Sequence, residues 1–222
     1  MHLPLSFVAL LLSALIPFAA AHAADAPAVS HDGLELVKSK KVDTLYRRPD
    51  ATLAHYKQIA LVDCEVAFRK NWQRDQASEG TRVTSADMDR VRKTLAGDFR
   101  KAFTEELGKG GYTITDQPGE DVLVVRPAII GLDIAAPDVL TAGRSRSYAT
   151  SAGEMTLYVE LHDGATGEII ARVVDRRKGR DQGRLMWQNA ITNRAEADRM
   201  LHKWAVLARE SLDEAKAAGA NP

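Results

Sequence analysis

The chain has 222 residues, 45% of them hydrophobic and 27% charged, with 30 Lys and Arg balanced by 30 Asp and Glu. That composition belongs to a globular protein of about one domain, not to a disordered, collagenous or membrane-embedded one. Zero net charge excludes a generally basic nucleic-acid binder, and a single cysteine excludes a disulfide framework and any cysteine-based zinc site.

Residues 3–21 form an uncharged run rich in Leu, Ala and Phe, closed by Ala21-His22-Ala23-Ala24-Asp25. An apolar core ended by a small-x-small triplet has the pattern of a secretory signal peptide, because signal peptidase accepts only small side chains at its −3 and −1 pockets. The cut is expected after Ala23. The run barely reaches the roughly 20 residues that span a bilayer, and Pro17 breaks it, so no transmembrane segment is expected after cleavage. No cysteine lies near the cut, which leaves nothing to carry the lipid of a bacterial lipoprotein. The expected product is a periplasmic, untethered protein that relies on its core.

Residues 24–55 are mixed and polar, with Leu34, Leu36, Val42, Leu45 and Tyr46 among basic side chains, and read as a loosely docked N-terminal arm. The main domain is expected over 56–218. It opens with a strand at 57–68 containing Cys64, a small buried hydrophobe by its surroundings, and continues into a polar stretch at 69–83 that includes Trp72. Thr84-Ser85-Ala86-Asp87 has the form of a helix cap, and behind it Met88, Val91, Leu95, Phe99, Phe103 and Leu107 recur at helical spacing. Gly108, Gly110 and Gly111 stop that helix.

Tyr112–Thr115 is a short strand. Val122–Val125 and Ala128–Ile130 form a nearly unbroken apolar run, as in a strand covered on both faces, with Pro127 requiring a bulge or an edge. After a long polar loop at 136–152, Met155, Leu157, Val159 and Leu161 alternate with polar residues. Asp163-Gly164-Ala165-Thr166-Gly167 then turns the chain into a second strand, Glu168–Asp175, making a hairpin. Asn193-Arg194-Ala195-Glu196 opens a last helix whose stripe runs through Met200, Leu201, Trp204 and Leu212. The expected fold is a single α+β layered domain in the order β-α-β-β-β-β-α. Its mixed or antiparallel sheet of about five strands is packed by two long helices.

Sites for catalysis or metals are scarce. His31, His55, His162 and His202 show no metal-ligand spacing, and the chain lacks Gly-x-Ser-x-Gly, Ser-x-x-Lys and phosphate-loop motifs. Adjacent acids such as Glu105-Glu106 are not the opposed pair that acid–base catalysis requires. No metal and no cofactor are expected, and the protein is read as a non-enzyme. The rival reading is a hydrolase with Ser147 or Ser151 as nucleophile and His162 as base. A purely structural stress-response role is a third.

Charge is uneven where chemistry is not. The loop Gly143-Arg144-Ser145-Arg146-Ser147-Tyr148 and the run holding Arg176, Arg177, Arg180 and Arg184 are basic, and guanidinium forks with hydroxyls suit phosphate or carboxylate groups. Ordinary solvated loops would carry the same residues. Trp72 and Trp187 stand in polar surroundings, where an indole stacks on a ligand or lids a core. The candidate binding set is therefore Arg144, Arg146, Tyr148, Arg176, Arg177, Arg180, Trp72 and Trp187. The expected partner is an envelope protein or an anionic glycan or lipid head group.

Several segments in order carry a family resemblance: Asp32-Gly33-Leu34, Tyr56-Lys57-Gln58-Ile59, Glu65-Val66-Ala67-Phe68-Arg69-Lys70-Asn71-Trp72, Thr141-Ala142-Gly143-Arg144-Ser145-Arg146, Asp163-Gly164-Ala165-Thr166-Gly167-Glu168, Val174-Asp175-Arg176-Arg177 and Trp204-Ala205. Over roughly residues 30–215 the chain resembles the bacterial family called domain of unknown function 3313, described as lipoproteins. The resemblance implies envelope placement and a shared fold, and no activity. The missing lipid-attachment cysteine is the departure.

Overall fold

A computed structural model describes residues 26–134, 147–149, 153–179, 186–188 and 190–219. In chain order it contains β1 (Glu35–Val37), β2 (Thr44–Arg47), β3 (Gln58–Leu61), β4 (Glu65–Phe68), α1 (Trp72–Ser78) and α2 (Ser85–Lys109). There follow β5 (Thr113–Thr115), β6 (Val122–Ile134), β7 (Ser147–Ala149), β8 (Gly153–Asp163), β9 (Ile169–Lys178), β10 (Met186–Gln188) and α3 (Ala190–Gly219). The class is α+β, but the sheet is larger than the sequence pattern suggests. Eight strands join in the order β1-β2-β9-β8-β6-β3-β5, with β4 following β3 along the same side of β6, while β7 and β10 form a separate two-stranded ladder.

The long helix α2 forms where its residues require it. The Thr84 hydroxyl accepts the Asp87 amide at 3.1 Å, and the Asp87 carboxylate takes the Thr84 amide at 3.0 Å, so two donors orphaned at the helix start are satisfied reciprocally. Gly111 ends the turn behind it at φ 76°, where glycine avoids the Cβ penalty. Helix α3 begins at Ala190, three residues before the predicted capping sequence.

Both helices lie over one face of the sheet. Leu95, Phe99, Phe103 and Leu107 of α2 and Met200, Leu201, Trp204 and Leu212 of α3 share one core with Leu123, Val125, Ile129, Met155, Leu157 and Val159. Register explains the choice of side chains. Leu157 stands opposite Ile129, and Leu161 opposite Val125, so alternate positions of β6 and β8 point at the helices together. Full burial of such side chains contributes roughly 2 kcal/mol each.

Four expectations are corrected. The 24–55 segment is not a loose arm: β1 and β2 extend the sheet from β9, Leu34 is fully buried, and the Tyr46 hydroxyl donates to the Pro27 carbonyl. The strand at 57–68 is two strands broken at Val62–Cys64, leaving Cys64 buried between them. That burial pushes its thiol up to about 12, which keeps it protonated. Strand β6 is covered on one face only, with Arg126 and Ile130 exposed on the other. Pro127 neither bulges nor sits at an edge. It lies opposite the break between β3 and β4, and the irregularity against β8 comes later, between Ile130 and Asp133.

Candidate functional site

The basic segments begin at one end of the sheet. Strand β6 stops at Ile134, paired with Gly153, and β9 reaches Lys178 beside Glu154 before Gly179 donates its amide to the Gly153 carbonyl at 2.7 Å. Gly153 has φ 132°, and a Cβ there would lie 2.0 Å from the Asp133 carbonyl oxygen, so only glycine fits between the neighbouring strands. Beyond these residues the chain runs on to β7 and β10. Their antiparallel register sets Tyr148 opposite Trp187 and Ser147 opposite Gln188. Two segments separated by more than thirty residues in the sequence are thereby joined.

A cleft of about 330 Å³ opens at the same end, between the first half of α2, the end of β6, the start of β8 and the first turns of α3. Its walls include Val91, Leu95, Leu132, Ile134, Met155 and Met200. Around it, carboxylates and guanidiniums pair: Asp98 with Arg194 at 3.1 Å, Glu154 with Arg176 at 2.5 Å, Asp133 with Arg69 at 2.7 Å and Glu196 with Arg199 at 2.6 Å. Asp198, also on α3, has its carboxyl raised by partial burial and by the nearby Asp98 charge. Among the described residues no His, Cys, Asp and Glu cluster could hold a metal ion.

The predicted residues divide by role. Trp72 is not on a loop. It opens α1, is 1% exposed, stacks on Phe68 with ring centroids 4.3 Å apart, and donates its indole N–H to the Ile134 carbonyl at 3.2 Å. It holds the end of β6 in place and presents no surface to a ligand. Arg177 lies in β9, where it pairs with the buried Asp175 at 2.8 Å and sits over the Trp204 ring. The Trp204 indole N–H also donates to Asp175, at 2.7 Å, and the Asp43 amide donates to it at 3.2 Å, so Arg177 helps to neutralise a carboxylate that ties α3 to the sheet. Arg176, one residue earlier, points to the other face and stays exposed. Arg144, Arg146, Arg180, Arg184 and Ser151 lie outside the described residues, and for Tyr148, Ser147 and Trp187 only the backbone pairing is described.

His162 stands nine residues along β8 from Gly153, about 30 Å away at strand rise. Its Nδ1 is 3.1 Å from the Gly167 carbonyl and its Nε2 3.2 Å from the Glu160 carboxylate. It belongs to the hairpin turn. The cleft itself escaped the sequence reading. Its walls come from four separated elements; Val91, Leu95, Met155 and Met200 lay on stripes read as core and Asn193, Arg194 and Glu196 on the capping sequence, and no one of those local patterns marks a shared cavity.

No curated protein matches the chain. Among solved structures it is similar to the PelC dodecamer from Paraburkholderia phytofirmans, at 13% identity and TM-score 0.37, covering 75% of this chain and 95% of that one. A neuraminyllactose-binding hemagglutinin homolog from Helicobacter pylori is 11% identical with TM-score 0.36, over 82% and 94% of the two chains. The rare lipoprotein B from Shewanella oneidensis is 13% identical with TM-score 0.31, over 73% and 96%. The family model of DUF3313, a protein of unknown function, matches residues 25–208, and the chain belongs to that family.

Proposed function

We propose that this DUF3313 protein is a non-enzymatic protein of the cell envelope that binds an envelope component or a protein partner at the cleft end of its sheet. The β7–β10 ladder is the observation that carries the reading, because it sets Tyr148 opposite Trp187 in two strands that each follow a basic run in the sequence, one with Arg144 and Arg146 and the other with Arg180 and Arg184. Paired strands with facing aromatic residues, each preceded in sequence by a basic run, suit an anionic group better than scattered loops would. The leader read at residues 1–23 would place the protein in the periplasm without a lipid anchor. Among the described residues no helix is long and apolar enough to cross a membrane.

The working set is Arg144, Arg146, Arg176 and Arg180, with Arg177 and Trp72 assigned to the framework. Changing the four arginines to Ala should weaken retention of the purified protein on an immobilised anionic glycan such as alginate, with the unfolding temperature unchanged. Equal retention by the folded variant would overturn the assignment. The hydrolase reading gains nothing from the geometry, since His162 serves the opposite end of the hairpin.

A further inference from the structure

The geometry points to an occupant for the cleft: the acyl chain of a single-chain anionic phospholipid, with the phosphate of its head group on Arg194 at the rim. This rests on the binding reading above and names the chemical class that the site would take. The volume of about 330 Å³ lies at the small end of ligand pockets, which run from roughly 300 to 1,000 Å³. Its apolar lining is aliphatic and thioether: Val91, Leu95, Leu132, Ile134, Met155 and Met200. Sugar hydroxyls pressed against those side chains would lose their water without gaining partners, which disfavours a sugar there. A hydrocarbon chain loses nothing there. Two methionines suit it further, since an unbranched thioether re-packs around a flexible chain.

Charge settles the head group. The lining carboxylates Asp98, Asp133, Glu154 and Glu196 are each paired with an arginine, so the site does not present bare negative charge. In the Asp98–Arg194 pair the guanidinium is the member turned to water, the Arg194 side chain being 62% exposed against 22% for Asp98. It engages its carboxylate through Nη2 alone. A guanidinium has five N–H donors, so most of its fork is available to phosphate oxygens while the carboxylate beneath fixes its position. An apolar floor under an outward guanidinium is complementary to an anionic amphiphile.

The test uses the mature chain and the uncharged dye N-phenylnaphthylamine, whose fluorescence rises on entering an apolar site. The wild type should take up the dye, and palmitoyl-lysophosphatidylglycerol should displace it at about tenfold lower concentration than its zwitterionic choline counterpart. Ala197→Phe fills the cleft from α3 and Thr94→Trp from α2; each should abolish uptake with circular dichroism unchanged, so one misfolded variant leaves the other to decide. Arg194→Ala should keep dye uptake and lose the tenfold head-group preference. Undiminished uptake in both filled variants, or equal displacement by the two lysolipids in the wild type, would overturn the inference. Displacement by an amphipathic helical peptide and by neither lysolipid would also overturn it, in favour of a protein partner. If the wild type takes up no dye while the four-arginine variant still loses glycan retention, the lipid inference fails and the binding reading stands.

Discussion

The two ends of the β8–β9 hairpin use the same residue types in opposite ways. At the turn, the Asp163 carboxylate accepts the Tyr56 hydroxyl at 2.7 Å, the Thr166 amide at 2.7 Å, the Ala165 amide at 3.0 Å and the Thr166 hydroxyl at 2.9 Å. Nearby, Arg172 spans Asp32 and Glu160 with its side chain only 13% exposed. Every charge there is spent on closing the fold. At the open end, Arg194 is anchored through one nitrogen and otherwise faces water above an apolar cleft. Charge pairing alone does not mark a site; which partner is left outward does.

Substitutions can break this contrast, beginning with the framework. Trp204→Ala removes a buried indole and the donor it supplies to Asp175, and should cost about 4 kcal/mol, read as a fall in denaturant midpoint. Gly153→Ala forces a Cβ against the Asp133 carbonyl in a left-handed backbone and should cost about 3 kcal/mol. Because Gly153 also walls the cleft, it should disturb dye uptake as well.

Asp163→Ala should cost about 2 kcal/mol and leave dye uptake untouched, confining its effect to the turn. The same group sets an acid limit. Its carboxyl is lowered to about 2 by the Tyr56 hydroxyl first and then by the turn amides, against about 3.9 in the unfolded chain. A depressed folded value gives stability that is present above about pH 4 and lost as pH falls toward 2. Acid unfolding of Asp163→Asn should lose that part of its pH dependence.

Trp72→Phe keeps the ring on Phe68 but loses the bond to Ile134, and should cost about 1 kcal/mol with ligand retention unchanged. A large loss of retention without loss of stability would return Trp72 to the binding surface. Smallest in stability is Arg176→Ala, within about 0.5 kcal/mol because its ion pair is exposed, yet it should lower retention measurably.

Much of the frame was legible in the sequence because its signals are local. The Thr84 cap with its helical stripe, and the alternation of 155–161 before Asp163-Gly164, each need only neighbours along the chain to be read. The strands β1 and β2 were not, since three or four mixed residues become strands only when β9 supplies the partner. Nor was α1, a seven-residue helix with two buried residues, Trp72 and Gln76, which made its tryptophan look like a loop residue. For the site, the basic runs were visible as composition. Their division was not: Arg176 and Arg177 are adjacent in sequence, but strand alternation sends one outward and the other against Asp175.

The most direct measurement is hydrogen exchange of the wild-type protein with and without palmitoyl-lysophosphatidylglycerol. The account predicts added protection at 90–98, 132–134, 153–155 and 193–200, with none at the 163–168 turn. Protection at the turn, or no change at the cleft segments under saturating lysolipid, would contradict it.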